Sequence, residues 1–202
     1  KLETKEYAKN NGISVQMAAR DLRYQWFEKI RSANHYDFIA VAHNLDVNIE
    51  TLLINLIRGT GITGLTGMKP VKNKIIRPLI FATRNMIKEY RDLNSIPFRE
   101  DRSNADTKYT RNKIRHLVLP VLKEINPAAE STLNETAERL AGINEIVNDY
   151  IKNINDQSSY TAGKILKYNI KILQPHLKNR ALTFELFKPY GIKNSTVRDL
   201  IN

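Results

Sequence analysis

Hydrophobic positions along the chain change period several times, and each change predicts an element. The opening is polar, and KLETKEYAKN predicts a short helix over about 2–10 that stops at Asn11 and Gly12, because glycine accepts the left-handed conformation of a helix C-cap. Ser14 is placed to cap a second helix, in which Ala18, Leu22, Trp26 and Ile30 recur every four residues as far as about Ala33. The period is lost at FIAVA, Phe38 to Ala42, an apolar run without polar alternation. That is the pattern of a parallel strand covered on both faces and central in its sheet. AHN follows, and LDVNIETLLINLIR then sets Leu45, Ile49, Leu52, Leu53 and Leu56 on one helical stripe. Strand, short turn and helix make half of an α/β unit.

RGTGITG, residues 58–64, carries the spacing GxGxxG, which cradles a dinucleotide only between a strand and the start of a helix. Here it comes at the end of a helix, so Gly59 reads as a C-cap and the segment as a loop. IIRPLI, residues 75–80, predicts a strand with its proline near one end. Thr83 to about Asn94 predicts a helix with Met86, Ile87, Tyr90 and Leu93 inward, and SIPFREDRSNADTKY is polar and irregular. Thr110 can cap RNKIRHLVLPVLKEI, in which Arg111 and Arg115 lie four apart and face the same way. Pro127 to about Asn155 reads as one long helix. The rest reads as a connector and two further helices, with Pro175 and Ser195 near their starts. The expected architecture is therefore α/β over 1–122, a partial parallel sheet with flanking helices, followed by a mainly helical second domain over 123–202.

Composition narrows the partners. The chain has 202 residues, and 32 Lys+Arg against 21 Asp+Glu give +11, which favours a polyanion, with nucleic acid the leading candidate. Cysteine is absent, so disulfides, thiolate zinc sites and thiol nucleophiles are excluded. FIAVA and LLINLI fall far short of the roughly 18 apolar residues of a membrane span, so no membrane partner is expected and the cytoplasm is the expected location. The sequence fixes no oligomeric state, and a homodimer is compatible with it.

In open α/β sheets ligands bind beyond the carboxyl ends of strands, which singles out His43, Asn44, Asp46 and Glu50 just after FIAVA. Asp46 and Glu50 share one side of a helix whose remaining surface is largely apolar, so neither is expected to be fully solvated. A desolvated carboxylate needs a cation. Arg20, Arg23, Arg111 and Arg115 are the natural partners, a metal ion or a substrate ammonium the other choices. Asp46 alone is equally well read as a first-turn acid favoured by the helix dipole, whereas Glu50 lies beyond that turn and is the stronger functional candidate. His43 can be an acid, a base, a phosphate donor or a structural hydrogen-bonder. YTRNKIRH, with Arg111, Asn112, Lys113 and Arg115, reads either as a solvated basic face or as a phosphate site beside a helix N-terminus. Two functions fit these residues: an α/β enzyme acting on RNA, and a non-catalytic basic module gripping phosphate backbones.

ISVQMAARDLRY, AHNLDVNIETLL, RGTGITGLTGM, IIRPLI and FREDRSNADTKYTRNKIRHLVLPVLKEINP resemble, in order and spacing, the bacterial tRNA(Ile)-lysidine synthetases, from about residue 4 to 127. The resemblance implies an adenine nucleotide alpha hydrolase-like PP-loop domain and, over 123–202, a helical substrate-binding domain. It implies ATP and Mg2+ as cofactors, with L-lysine and an isoleucine tRNA as substrates. The wobble cytidine is adenylated at its C2 carbonyl oxygen, and the ε-amine of lysine then displaces AMP to form lysidine. It implies active-site positions for Arg23, Glu50 and Arg115, with Asp46 beside them. His43, Arg20, Arg111, Asn112 and Lys113 become substrate or RNA contacts, and Asp46 and Glu50 the candidate metal ligands. Another PP-loop RNA modifier, such as a cytidine thiolase, is the related alternative. Where the family often reads AHHxDDQxET this chain has Asn44 and Val47, and the family's SGGxDS loop is expected on a strand preceding residue 1.

Overall fold

Side-chain caps decide where the helices of the first half begin. In the computed structural model, which describes residues 3–99, 108–192 and 196–197, Ser14, Asn44 and Thr83 each accept a hydrogen bond from the backbone N–H three residues on, at 3.2, 3.1 and 3.1 Å. They start α2 (Val15–Ala33), α3 (Leu45–Ile57) and α4 (Arg84–Leu93). α1 (Thr4–Asn11) ends, as its sequence predicts, on Gly12 at φ +61. Thr110 is the first residue of α5 (Thr110–Lys113) rather than its cap. The chain continues through a π-helical turn over Ile114–Val118 into α6 (Leu119–Ile125) and then α7 (Ala129–Ser158).

The chain forms two compact units, one from residues 1–58 and 67–134, the other from 59–66 and 135–202. The first holds a sheet of β1 (Ile39–Ala40), β2 (Val71–Lys72) and β3 (Ile75–Ile76), in the order β1-β3-β2. β1 and β3 are parallel, with Ile39 opposite Ile75 and Ala40 opposite Ile76, whereas β2 and β3 are antiparallel. The sheet is thus mixed, where the apolar runs predicted parallel strands alone. FIAVA contributes only Ile39 and Ala40 and lies at the edge of this sheet rather than its centre, because within the described chain it pairs with β3 alone; Phe38 remains half exposed. IIRPLI is a strand only as far as Ile76, since Pro78 has no N–H to offer a ladder.

The core of this unit is Ile49, Leu53, Ile54, Ile114 and Leu119, with Leu45, Val118, Leu122 and Leu133 packed on it. Each such side chain contributes roughly 1.5–3 kcal/mol by leaving water. The apolar stripes are narrower than their periodicity predicts. Trp26 and Leu56 are half exposed, and Met86, Tyr90 and Leu93 on α4 face outward, leaving Ile87 as the inward member of that set. No described element covers the outer face of α4. Gly67, at φ +67, shows where glycine is required: a Cβ there would lie 2.9 Å from the Asn48 side-chain oxygen. That amide holds the turn, accepting from Met68 N–H at 2.6 Å and donating to Asn134 at 3.2 Å.

The second unit contains most of α7, the hairpin of β4 (Ser159–Ala162) and β5 (Ile165–Tyr168), α8 (Ile170–Leu177) and α9 (Arg180–Phe187). Ile154, Leu173 and Leu186 form its core. The hairpin was not predicted. Pro175 lies inside α8 rather than at its start, where Asn169 is the cap, and Ser195 is outside the described residues. RGTGITG closes as a loop with a 3-10 turn over Ile62–Leu65, and with Tyr150, Phe184 and Glu185 it lines a groove of about 1370 Å3.

Candidate functional site

α3 brings Glu50 into the interior because its apolar neighbours Ile49, Leu52 and Leu53 pull that side of the helix inward; Glu50 is 0% exposed. A carboxylate removed from water must find opposite charge. Arg115, from the π-helical turn, donates Nε to Oε1 at 2.7 Å and Nη2 to Oε2 at 3.2 Å, a two-pronged pair. Arg111, four residues earlier, places Nε 3.7 Å from Oε2 and donates Nη2 to Thr51 Oγ1 at 3.0 Å. Arg84, the first residue of α4, places Nη2 3.6 Å from Oε1. One enclosed carboxylate therefore gathers three guanidinium groups from two separate segments. Burial pushes the Arg111 guanidinium below its ordinary value, Glu50 opposes that shift, and Arg20 and Arg115 add to it. Beside this hub lies a cleft of about 290 Å3, lined by Asp46, Glu50, Arg84, Lys88, Arg115 and Lys123 among others.

Asp46 has a different task. Its Oδ2 accepts the backbone N–H of Arg84 at 2.6 Å, at the N-terminus of α4 where free amides favour a carboxylate. Arg23 is exposed and, among the described residues, forms no ion pair with Glu50; it acts electrostatically on His43, together with Arg77, Arg20 and Arg111. His43 is half-buried, and burial first, then those four guanidiniums, hold its imidazole below the ordinary value. Asn112 is buried, and Lys113 points to solvent.

The residue set does not fit the expected Mg2+. Both Glu50 oxygens face guanidinium groups, one Asp46 oxygen caps a helix, and no group of three His, Cys, Asp or Glu among the described residues could hold a metal ion. Sequence reasoning missed Arg84 and Arg77. Arg84 had a readable signal, being the first residue after the Thr83 cap, but nothing in the sequence shows that α4 starts against α3.

The segment 1–122 matches the family described as the PP-loop domain, and the chain belongs to that family, whose fold is that of the adenine nucleotide alpha hydrolases. Among curated proteins it is 38% identical over 200 residues to the tRNA(Ile)-lysidine synthase of Porphyromonas gingivalis, covering 98% of this chain and 43% of that protein. It is 40% identical over 199 residues to the enzyme of the same name from Bacteroides thetaiotaomicron, covering 98% of this chain and 46% of that one. For the Bacillus subtilis enzyme the figures are 36% over 184 residues, 87% and 39%. The chain thus spans less than half the length of these relatives.

Proposed function

We propose that the chain is part of a tRNA(Ile)-lysidine synthase, a ligase forming a carbon–nitrogen bond on the wobble cytidine of an isoleucine tRNA. ATP adenylates the C2 carbonyl oxygen of the cytidine and releases pyrophosphate. The ε-amine of L-lysine then attacks C2, loses its proton, and AMP leaves with the oxygen. The observation that carries this reading is the enclosed Glu50 with Arg115, Arg111 and Arg84 around it, in a sequence 36–40% identical to enzymes of that name.

In this reading the arginines are the working groups. Attack of the C2 oxygen on the α-phosphate builds charge on phosphoryl oxygens, and guanidinium groups held rigid before reaction stabilise that charge without reorganising. Glu50 holds Arg111 and Arg115 in one orientation, and Arg23 and Arg20, on the exposed face of α2, extend the positive surface toward the tRNA. Residues 1–122 form the catalytic PP-loop domain and 123–202 a helical substrate-binding domain. The enzyme works in the cytoplasm beside its tRNA; no described helix is long and apolar enough to cross a membrane.

The test is lysidine formation by the intact enzyme with Arg115→Lys. Lysine keeps the charge but loses the fork, and kcat is expected to fall at least roughly a hundredfold, with the KM for lysine little changed. A kcat within about twofold of the parent would remove Arg115 from the chemistry, and a parent protein that forms no lysidine at all would return the choice to a non-catalytic RNA-binding module.

A further inference from the structure

Arg115 takes both oxygens of Glu50, with Nε at 2.7 Å and Nη2 at 3.2 Å. Arg111 has the looser share of that carboxylate, its Nε 3.7 Å from Oε2, which is beyond hydrogen-bond distance. An ion pair at that distance supplies charge but little direction, because the attraction hardly depends on how the plane of the guanidinium is turned. Direction comes from the residue next to Glu50. Thr51, within α3, accepts a hydrogen bond from Arg111 Nη2 on its Oγ1 at 3.0 Å. The hydroxyl's own proton is already engaged: Oγ1 donates to the Val47 carbonyl one turn back at 2.7 Å, the back-bond open to a threonine inside a helix. That bond turns the hydroxyl so that a lone pair, rather than its proton, faces Arg111. Thr51 is half-buried and the side chain of Arg111 stays 40% exposed, so the guanidinium is gripped on one side and open on the other.

We infer that Thr51 is a positioning residue for the ligation: its hydroxyl fixes the plane of the Arg111 guanidinium, while Glu50 supplies the charge that draws Arg111 in. The division of labour follows from the two acceptors. Arg115 already engages Glu50 in the two-pronged geometry that a carboxylate and a guanidinium share best, so a second guanidinium cannot be aligned by the same oxygens as well. A hydroxyl bonded at both its proton and a lone pair is cheap to enclose. It also carries no charge, so it orients Arg111 without neutralising it; a second carboxylate in its place would align the guanidinium equally well but cancel the charge that the reaction uses. The inference rests on the ligase reading for what the oriented charge does, whereas the orientation itself can be measured without any reaction.

The test is a double-mutant cycle in the intact enzyme, read as lysidine formation. Thr51→Val keeps the shape of the side chain and loses the hydroxyl; kcat is expected to fall roughly tenfold, with the KM for lysine little changed. Thr51→Ser, which restores the hydroxyl, should recover kcat to within about threefold of the parent. In an Arg111→Met background, Thr51→Val should change kcat by less than about twofold, since no guanidinium remains to be positioned. A threonine that serves packing alone would cost the same in both backgrounds, and that result overturns the inference. So does a Thr51→Val enzyme within about twofold of the parent, or a Thr51→Ser enzyme no better than Thr51→Val. Should Thr51→Val lose its fold by circular dichroism, Thr51→Ala takes its place in the cycle. The guanidinium nitrogen resonances of Arg111 report the orientation directly: separate Nη signals, from slow rotation, are expected in the parent and averaged ones in Thr51→Val. Averaged signals in both proteins would also overturn it. A parent that forms no lysidine removes the ligase reading, whereas the Arg111 resonances test the Thr51 bond on their own.

Discussion

The two units differ in the polar groups they bury. In the first, Glu50, Arg77, Asn44, Asn48 and Asn112 are buried, and several are bound to residues distant in sequence: Glu50 to Arg115, Asn48 to Asn134. In the second, the buried polar residues are neutral, and two of them are satisfied from their own surroundings in the chain. Ser158 Oγ donates to the Ile154 carbonyl at 2.6 Å, and Thr183 Oγ1 to the carbonyls of Leu177 and Asn179. A hydroxyl folded back on its own helix completes local architecture and asks nothing of the rest of the fold. A charge enclosed far from water demands partners from elsewhere, and removing one partner leaves the other uncompensated. The first unit thus holds the enclosed charge, whereas the buried polar groups described in the second are neutral.

The largest effect that could break this contrast is at Glu50. Glu50→Ala leaves Arg84, Arg111 and Arg115 facing one another without their shared counter-charge, and breaking a buried pair of this kind costs about 3–5 kcal/mol. Urea denaturation of the 202-residue chain should show the midpoint falling accordingly. A loss below about 1 kcal/mol would mean that the arginines relax into solvent and that Glu50 is no hub. The variant Glu50→Leu sharpens the result, because an apolar side chain of similar size restores packing but not charge; it should recover little if the arginines are the problem.

Much of that hub was legible in the sequence. Helical spacing put Arg111 and Arg115 on one face, and the strand–turn–helix order put Glu50 near a strand's carboxyl end, so the buried carboxylate and two of its partners could be named. The third could not: Arg84 meets Glu50 because Asp46 caps the N-terminus of α4, a contact between residues 38 apart that no local period reveals. Arg77 was hidden for a similar reason, since its burial depends on β3 lying beside β1. Arg23, named from its motif, forms no ion pair with Glu50 among the described residues and acts electrostatically on His43. The hairpin at 159–168 was lost because a helical period had just run for some thirty residues; its turn at Gly163, φ +64, was the available sign. FREDRSNAD carries part of the family resemblance, and residues 100–106 within it lie outside those described.

Ser158→Ala probes the other side of the contrast. The lost donation to Ile154 involves a backbone carbonyl inside a helix, and a neutral hydrogen bond contributes about 1 kcal/mol. The unfolding free energy should therefore fall by about 1 kcal/mol or less, a fraction of the Glu50 effect. Equal losses at Ser158 and Glu50 would show that burial alone, rather than buried charge, sets the sensitivity of this protein to substitution.

The smallest effect is expected at His43 and depends on pH. Its imidazole is held below the ordinary value of 6.5 in the folded chain, by burial and by Arg77, Arg20, Arg111 and Arg23. The unfolded chain thus takes a proton at a higher pH than the folded one does. Above about pH 7 both forms are neutral and His43 adds no pH dependence; as pH falls through the ordinary value, the unfolded state gains protons first and the folded state loses ground. His43→Gln removes that proton uptake, so between about pH 7 and pH 5 its stability should fall less steeply than that of the parent. Parallel stability curves for the two proteins would show that the imidazole is as solvated in the native state as in the unfolded one.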